Sequence, residues 1–209
     1  MKVGVSIMAH PGRQQQATAL ADTLGARIAW DTHDRGEVWC GDEAWLMHDP
    51  RTDWWIVLQD DAEPIDGFLT YAKAALHYAP SGLVSFYTGT GRPHHLAVGR
   101  AVKNAERRGY AWMQHPTLMW GVAVAMPTPM VPVFMRWGHS SRLTFYDKRL
   151  SAFAGAIDKP VRYTNPSLVD HADGPTLLRH PWGEPTMRRK AWTLGAPKTW
   201  DTAALEIPA

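Results

Sequence analysis

The chain has 209 residues, of which 45% are apolar and 20% charged, with a formal charge of +2. That balance excludes a disordered polyelectrolyte and leaves room for one packed core with at most a small appendage. The single cysteine, Cys40, excludes an internal disulfide framework and fits a reducing compartment, so a cytoplasmic protein is expected.

The opening stretch, Val3 to Met8, is apolar and rich in β-formers. Its apolar run ends in His10-Pro11-Gly12-Arg13 with no small-residue cleavage site, so no secretory signal is expected. After a turn at His10 to Gly12, Gln14 to Leu24 reads as a helix with Ala17, Leu20, Ala21 and Leu24 on one face. Arg27 to Trp30 reads as a second strand ending in Asp31. Asp42 to His48 reads as a short helix with Asp42 near its positive end. Trp54 to Leu58 is almost continuously apolar, as a central strand covered on both faces should be. Pro64 is expected to open a helix through Tyr78, and Leu83 to Tyr87 forms a fourth strand. This alternation predicts an α/β domain built on a mixed, mostly parallel sheet flanked by helices.

The second half is less regular. Gly89 to His95 is a loop and Leu96 to Arg108 a helix, and two strands are expected around His115 to Gly121 within Trp112 to Met126. Ala111 to Met135 carries no Asp, Glu, Lys or Arg, but Gln114, His115 and four prolines interrupt it, so no membrane insertion is expected. Thr144 to Ile157 has helical apolar spacing, and Val161 to Gly174 contains two short strands around Asn165-Pro166. From Arg179 onward an irregular tail is expected to pack on the body.

Ligands in open α/β sheets bind beyond the carboxyl ends of the strands, where His10 to Arg13, Asp31 and Asp60-Asp61 all fall. Asp60, Asp61 and Glu63 suit a hard divalent cation that also binds phosphate oxygens; the competing reading is a turn in which Asp61 or Glu63 caps the helix at Pro64. Asp147 sits in a first helical turn, where the dipole favours a carboxylate able to act as general base. Thr144 and Asp147 also have near-capping-box spacing, which would explain the acid structurally. Asp170, His171 and Asp173 follow a short strand, where a neutral imidazole suits a metal; the alternative is a histidine hydrogen-bonded to backbone. The Gly89 to His95 loop, with Arg92, is a weak phosphate-binding signal.

The order of these motifs resembles small glycosyltransferases of the GT-A fold, particularly short ones of actinobacterial viruses and related bacteria. The matching stretches are VSIMAHPGR, IVLQDDAEP, GYAWMQHPTLMWGVAVAMP, FYDKRLSAF and YTNPSLVDHADG, spanning about residues 3 to 178. The acidic motif reads Asp-Asp-Ala-Glu where the family carries Asp-x-Asp, and Tyr146-Asp147-Lys148 stands where members often have Glu-Asp. The resemblance implies a domain over 1–178, with a nucleotide-binding half of about 1–90 and an acceptor-side half of about 91–178, and a tail over 179–209. It implies that His10, Arg13 and Asp31 contact the nucleotide of a nucleotide-diphosphate sugar, a UDP-sugar in the first instance. Asp60 would contact ribose or sugar, and Asp61 and His171 would hold Mn²⁺ or Mg²⁺. Asp147 would be the catalytic base of an inverting transfer.

The acceptor stays open between a protein or glycan hydroxyl and a hydroxymethylated pyrimidine in viral DNA. The mildly basic balance and Arg188-Arg189-Lys190 favour the DNA option slightly. A non-catalytic carbohydrate- or nucleotide-binding module, with some of the eleven tryptophans as stacking faces, is the competing class. The expected assembly is a monomer or weak homo-oligomer.

Overall fold

A computed structural model describes residues 1–91, 93–172 and 189–208. The readings placed on Arg92, Asp173, Arg188 and the first part of the tail lie outside these residues.

The first half alternates as its apolar pattern requires. It runs β1 (Val3–Ala9), a 3-10 turn at Pro11–Arg13, α1 (Gln14–Leu24), β2 (Arg27–Trp30), α2 (Glu37–Leu46) and β3 (Trp54–Gln59). Then come β4 (Ala62–Pro64), α3 (Phe68–Tyr78) and β5 (Val84–Ser85). The second half contributes α4 (His95–Arg108), β6 (Trp112–His115), β7 (Ala123–Pro127), α5 (Val131–His139) and α6 (Tyr146–Ala156). It closes with β8 (Val161–Thr164), β9 (Val169–His171) and β10 (Leu205–Glu206).

Eight strands form one sheet in the order β10-β6-β8-β5-β7-β3-β1-β2, and β4 and β9 form a separate antiparallel pair. Four of the seven pairings in the large sheet are parallel, so it is the mixed, mostly parallel sheet expected. β3 shows why the order holds. Trp54, Ile56 and Leu58 join one apolar layer with Leu20 and Phe68, while Trp55 and Val57 join the other with Trp45 and Phe134. Side chains alternate across a strand, so a run without polar residues needs cover on both faces.

Three local expectations are corrected. Pro64 ends β4 instead of opening a helix: Ala62, Glu63 and Pro64 pair with His171, Asp170 and Val169. The helix starts later, at Phe68, after Gly67 at φ 72°, a left-handed conformation that glycine adopts without steric cost. Neither Asp61 nor Glu63 caps it. Asp42 lies inside α2 and not at its start, where its carboxylate accepts a 2.6 Å bond from the buried Arg149 of α6. The capping box at Thr144 does not form. Phe145 takes the N-cap position without a side-chain bond, and Glu37 of α2 accepts the Tyr146 N–H at 3.1 Å. Helix α5 was not foreseen, because its prolines precede it in a 3-10 turn and at its first positions.

The described part of the tail lies against the body. Ala191 bridges Gly89, Leu194 bridges Ser167, and β10 pairs with β6. The uncharged stretch from Ala111 to Met135 becomes β6, β7 and part of α5, and among the described residues no helix is long and apolar enough to cross a membrane.

Candidate active site

The carboxyl edge of β1 and β3 gathers most of the residues singled out from the sequence. As β1 ends, the His10 backbone N–H donates to Asp60 Oδ2 at 2.9 Å. His10 Nδ1 accepts from Gly12 N at 3.1 Å, and Nε2 lies 2.9 Å from Asp34 Oδ1, so the ring carries its hydrogen on Nε2. The 3-10 turn then brings Arg13 back over the end of β3. Its Nη1 bridges Asp60 Oδ1 at 2.8 Å and Asp61 Oδ2 at 2.6 Å. Burial raises the Asp60 pKa; the His10 N–H and Arg13 oppose it, and the neighbouring Asp61 charge adds to the rise.

Asp31 follows β2 and shapes the floor of the crevice. Its backbone N–H donates to Ala9 O at 2.8 Å, tying it to the end of β1. Its carboxylate accepts from the N–H groups of His33, Arg35 and Gly36, which turns the chain into α2. Burial pushes its pKa upward, but these bonds outweigh it and hold the carboxyl below its ordinary value. Beneath lies Cys40, whose thiol donates to Ala29 O at 3.3 Å. Burial, with help from the Asp31 and Asp60 charges, pushes that thiol up to about 12.

His171 reaches the same place from β9. The β4–β9 pairing sets Ala62 opposite His171, and Ala172 N donates to Asp61 O at 2.8 Å. His171 Nδ1 lies 2.7 Å from Ala172 O, an acceptor only, so Nδ1 carries the hydrogen and Nε2 presents a lone pair. That lone pair faces Asp61 Oδ2 at 3.4 Å. Burial keeps the imidazole pKa low despite the Asp61 charge, which favours the neutral ring. Two facing lone pairs repel unless a cation or proton lies between them. The second oxygen, Asp61 Oδ1, is buried and has no hydrogen-bond partner among the described residues. Both features suit a divalent cation, and a second ring nitrogen bound to a carbonyl is the usual support for a ligating histidine. Among the described residues no three His, Cys, Asp or Glu side chains form a complete metal cage. A cation held by Asp61 and His171 would have to take its remaining ligands from outside the described side chains, such as water, as Mg²⁺ and Mn²⁺ commonly do.

A groove of about 450 Å³ flanks the carboxylates between α1 and the start of α3, lined in part by Gln16, Leu20, Thr23, Glu63 and Asp66. No Lys or Arg lines it among the described residues.

Asp147 stands apart from this cluster but along the same sheet edge. Val122 O accepts the Gln59 N–H at 2.8 Å, which places Gly121 beside the end of β3. A Cβ added to Gly121 would lie 3.7 Å from Asp147 Cβ. Burial raises the Asp147 pKa, with Lys148 opposing, so its carboxylate is a stronger base than its place in the first turn of α6 implied.

Two contributors escaped the sequence reading: Asp34 orients His10, and Glu37 anchors the start of α6 beside Asp147. Lys190, singled out above only as part of a basic run, bonds Glu63 at 2.9 Å and Asp170 at 3.3 Å. None has a local signal, since the partners are tens of residues away. No protein-family model matches the chain, and no curated protein is significantly similar to it.

Proposed function

We propose that the chain is a metal-dependent glycosyltransferase that moves a sugar from a nucleotide-diphosphate sugar, a UDP-sugar first, onto an acceptor hydroxyl in the cytoplasm. The observation that carries the reading is the Asp61–His171 pair: the imidazole Nε2 lone pair faces Asp61 Oδ2, which Arg13 also bonds, and Asp61 Oδ1 is buried with no hydrogen-bond partner among the described residues. Its position beyond β1 and β3, beside the cationic Arg13 turn, suits a nucleotide diphosphate. The motif order that resembles the GT-A glycosyltransferases supports the same conclusion.

In this reading residues 1–90 hold the donor and 91–178 present the acceptor. His10, Arg13 and the Asp31 turn receive the nucleotide, and Asp60 reaches its ribose or the sugar. The metal supplies charge that offsets what develops on the departing diphosphate. An imidazole ligand beside a carboxylate favours Mn²⁺ over Mg²⁺, which prefers oxygen alone. Asp147 takes the acceptor proton, and its raised proton affinity suits that role.

The test is a thermal-shift screen of nucleotide sugars with and without Mn²⁺. A donor at about a hundred times its Kd adds roughly 2.7 kcal/mol. For a chain of this size that raises the midpoint by roughly 5–10 °C. Asp61→Asn is expected to abolish the metal-dependent part of the shift and metal-promoted donor hydrolysis, while Asp147→Asn spares binding and removes transfer. If no nucleotide sugar shifts the wild-type chain with Mn²⁺, the reading is wrong; normal metal dependence in Asp61→Asn would refute the site.

A further inference from the structure

Between the metal side of the sheet edge and Asp147 lies a cluster of rings that the site above leaves unused. Trp120, half-buried, lies 5.9 Å from Tyr87 and 6.4 Å from His94 between ring centroids, at 83° and 89°. Tyr87 in turn lies 6.2 Å from His171, and His94 6.2 Å from His115. Both rings that meet Trp120 stand perpendicular to it. The indole N–H makes no hydrogen bond to the described residues, and a Cβ on Gly91 would lie 3.4 Å from it, so the loop leaves just enough room there. The next residue, Gly121, adjoins Asp147 and the end of β3. Trp120 is thus the aromatic group between the Asp61–His171 pair and the carboxylate assigned as base.

The charges around it identify what it would bind. Asp147 and Lys148 contribute one charge of each sign, and His94 is held neutral by burial, with His115 and Lys148 acting in the same direction. Among the described residues, Arg189 acts on His171, on the donor side of the cluster, while Lys190, Arg107 and Arg108 are engaged or remote. Lys190 is bound to Glu63 and Asp170. Arg107 bonds Asn104 and Arg108 lies over Tyr110, at the far end of α4 from His95, about 20 Å away at 1.5 Å per residue. Phosphate backbones are held by clustered Lys and Arg, whereas an apolar ring face with one open N–H donor suits a neutral ring bearing hydroxyls.

Resting on the glycosyltransferase reading, we propose that Trp120 is the platform on which the acceptor stacks, and that this acceptor is a neutral sugar ring. One of its hydroxyls then faces Asp147. The carboxylate takes the hydroxyl proton as that oxygen bonds the anomeric carbon of the donor. The bond from that carbon to the diphosphate oxygen breaks, and its electron pair leaves with the nucleoside diphosphate. Trp120 positions the acceptor and exchanges no proton.

The full chain labelled with 5-fluorotryptophan tests this by ¹⁹F NMR, with the Trp120 resonance assigned as the one missing from Trp120→Phe. It is titrated with methyl glycosides of the common hexoses and, separately, with a single-stranded oligonucleotide carrying hydroxymethylcytosine. The Trp120 resonance is expected to shift with at least one glycoside. In transfer assays Trp120→Ala is expected to raise acceptor KM about tenfold, equivalent to about 1.4 kcal/mol, with donor hydrolysis within about twofold of wild type. Trp120→Phe keeps most of the affinity. A resonance unmoved by every glycoside overturns the proposal, as does one moved by the oligonucleotide alone, or an acceptor KM unchanged in Trp120→Ala. A chain that binds no nucleotide sugar yet shifts Trp120 with glycosides loses the transferase reading and keeps the sugar platform.

Discussion

Gly41→Ala should destabilise the protein, although helix propensity alone predicts the opposite. Gly41 lies inside α2, where alanine is worth about 1 kcal/mol over glycine. A Cβ there would stand 2.5 Å from Cδ2 and Cε2 of Tyr146, closer than real contacts allow. The ring cannot swing away. Its other edge meets Gly121, where a Cβ would lie 2.7 Å from Cδ1, and its hydroxyl accepts from Trp45 Nε1 at 3.1 Å in a fully buried site. Overpacking of this kind costs about 1–3 kcal/mol, and displacing a fixed aromatic ring belongs at the upper end. The net expectation is a loss of about 1–2 kcal/mol, read as a lower urea midpoint and a thermal midpoint reduced by roughly 2–8 °C. Gly155→Ala in α6 is the control: a Cβ there meets nothing within 4 Å, so a gain of about 0.5 kcal/mol is expected. If Gly41→Ala matches or exceeds wild-type stability, the close fit of Tyr146 between two glycines is wrong.

Two further outcomes follow from the groups beneath the site. The Asp31 carboxyl, held below its ordinary value by three loop N–H groups, adds stability that is present above about pH 4 and lost as the pH falls through its native value. Asp31→Asn should therefore have a lower urea midpoint at pH 7, with the gap to wild type closing in acid; a gap that stays constant down to pH 2 counts against it. Cys40, buried and with its thiol raised to about 12, should resist a thiol reagent at pH 8 in the native chain and react fully in guanidinium. Rapid native labelling would show that the layer under Asp31 and Asp60 opens readily.

Much of the first half is written in short-range pattern. Ala17, Leu20, Ala21 and Leu24 recur at helical spacing, and α1 has the bounds that spacing predicts. The run Trp54 to Leu58 has no polar residue, and β3 is the buried strand shared by both apolar layers. The adjacency of His10, Arg13, Asp31 and Asp60-Asp61 also followed, because parallel strands deliver their carboxyl ends to one edge. Where local signals conflicted, the pattern misled. Pro64 suits a helix start and an edge-strand end equally, and the choice fell to its pairing with Val169. Thr144 and Asp147 have capping spacing, yet the Tyr146 N–H goes to Glu37, 109 residues away in sequence.

By itself, then, the sequence determined the α/β class, the strands β1 to β3 and the edge at which the acids cluster, since periodicity records which face of each segment is buried. The tertiary structure decided which atoms meet: Asp61 with His171, Arg149 with Asp42, and Trp120 with Tyr87 and His94. Such pairings depend on sheet order and register across distant segments, and these are fixed by the packing of the whole chain, not by spacing within any one stretch.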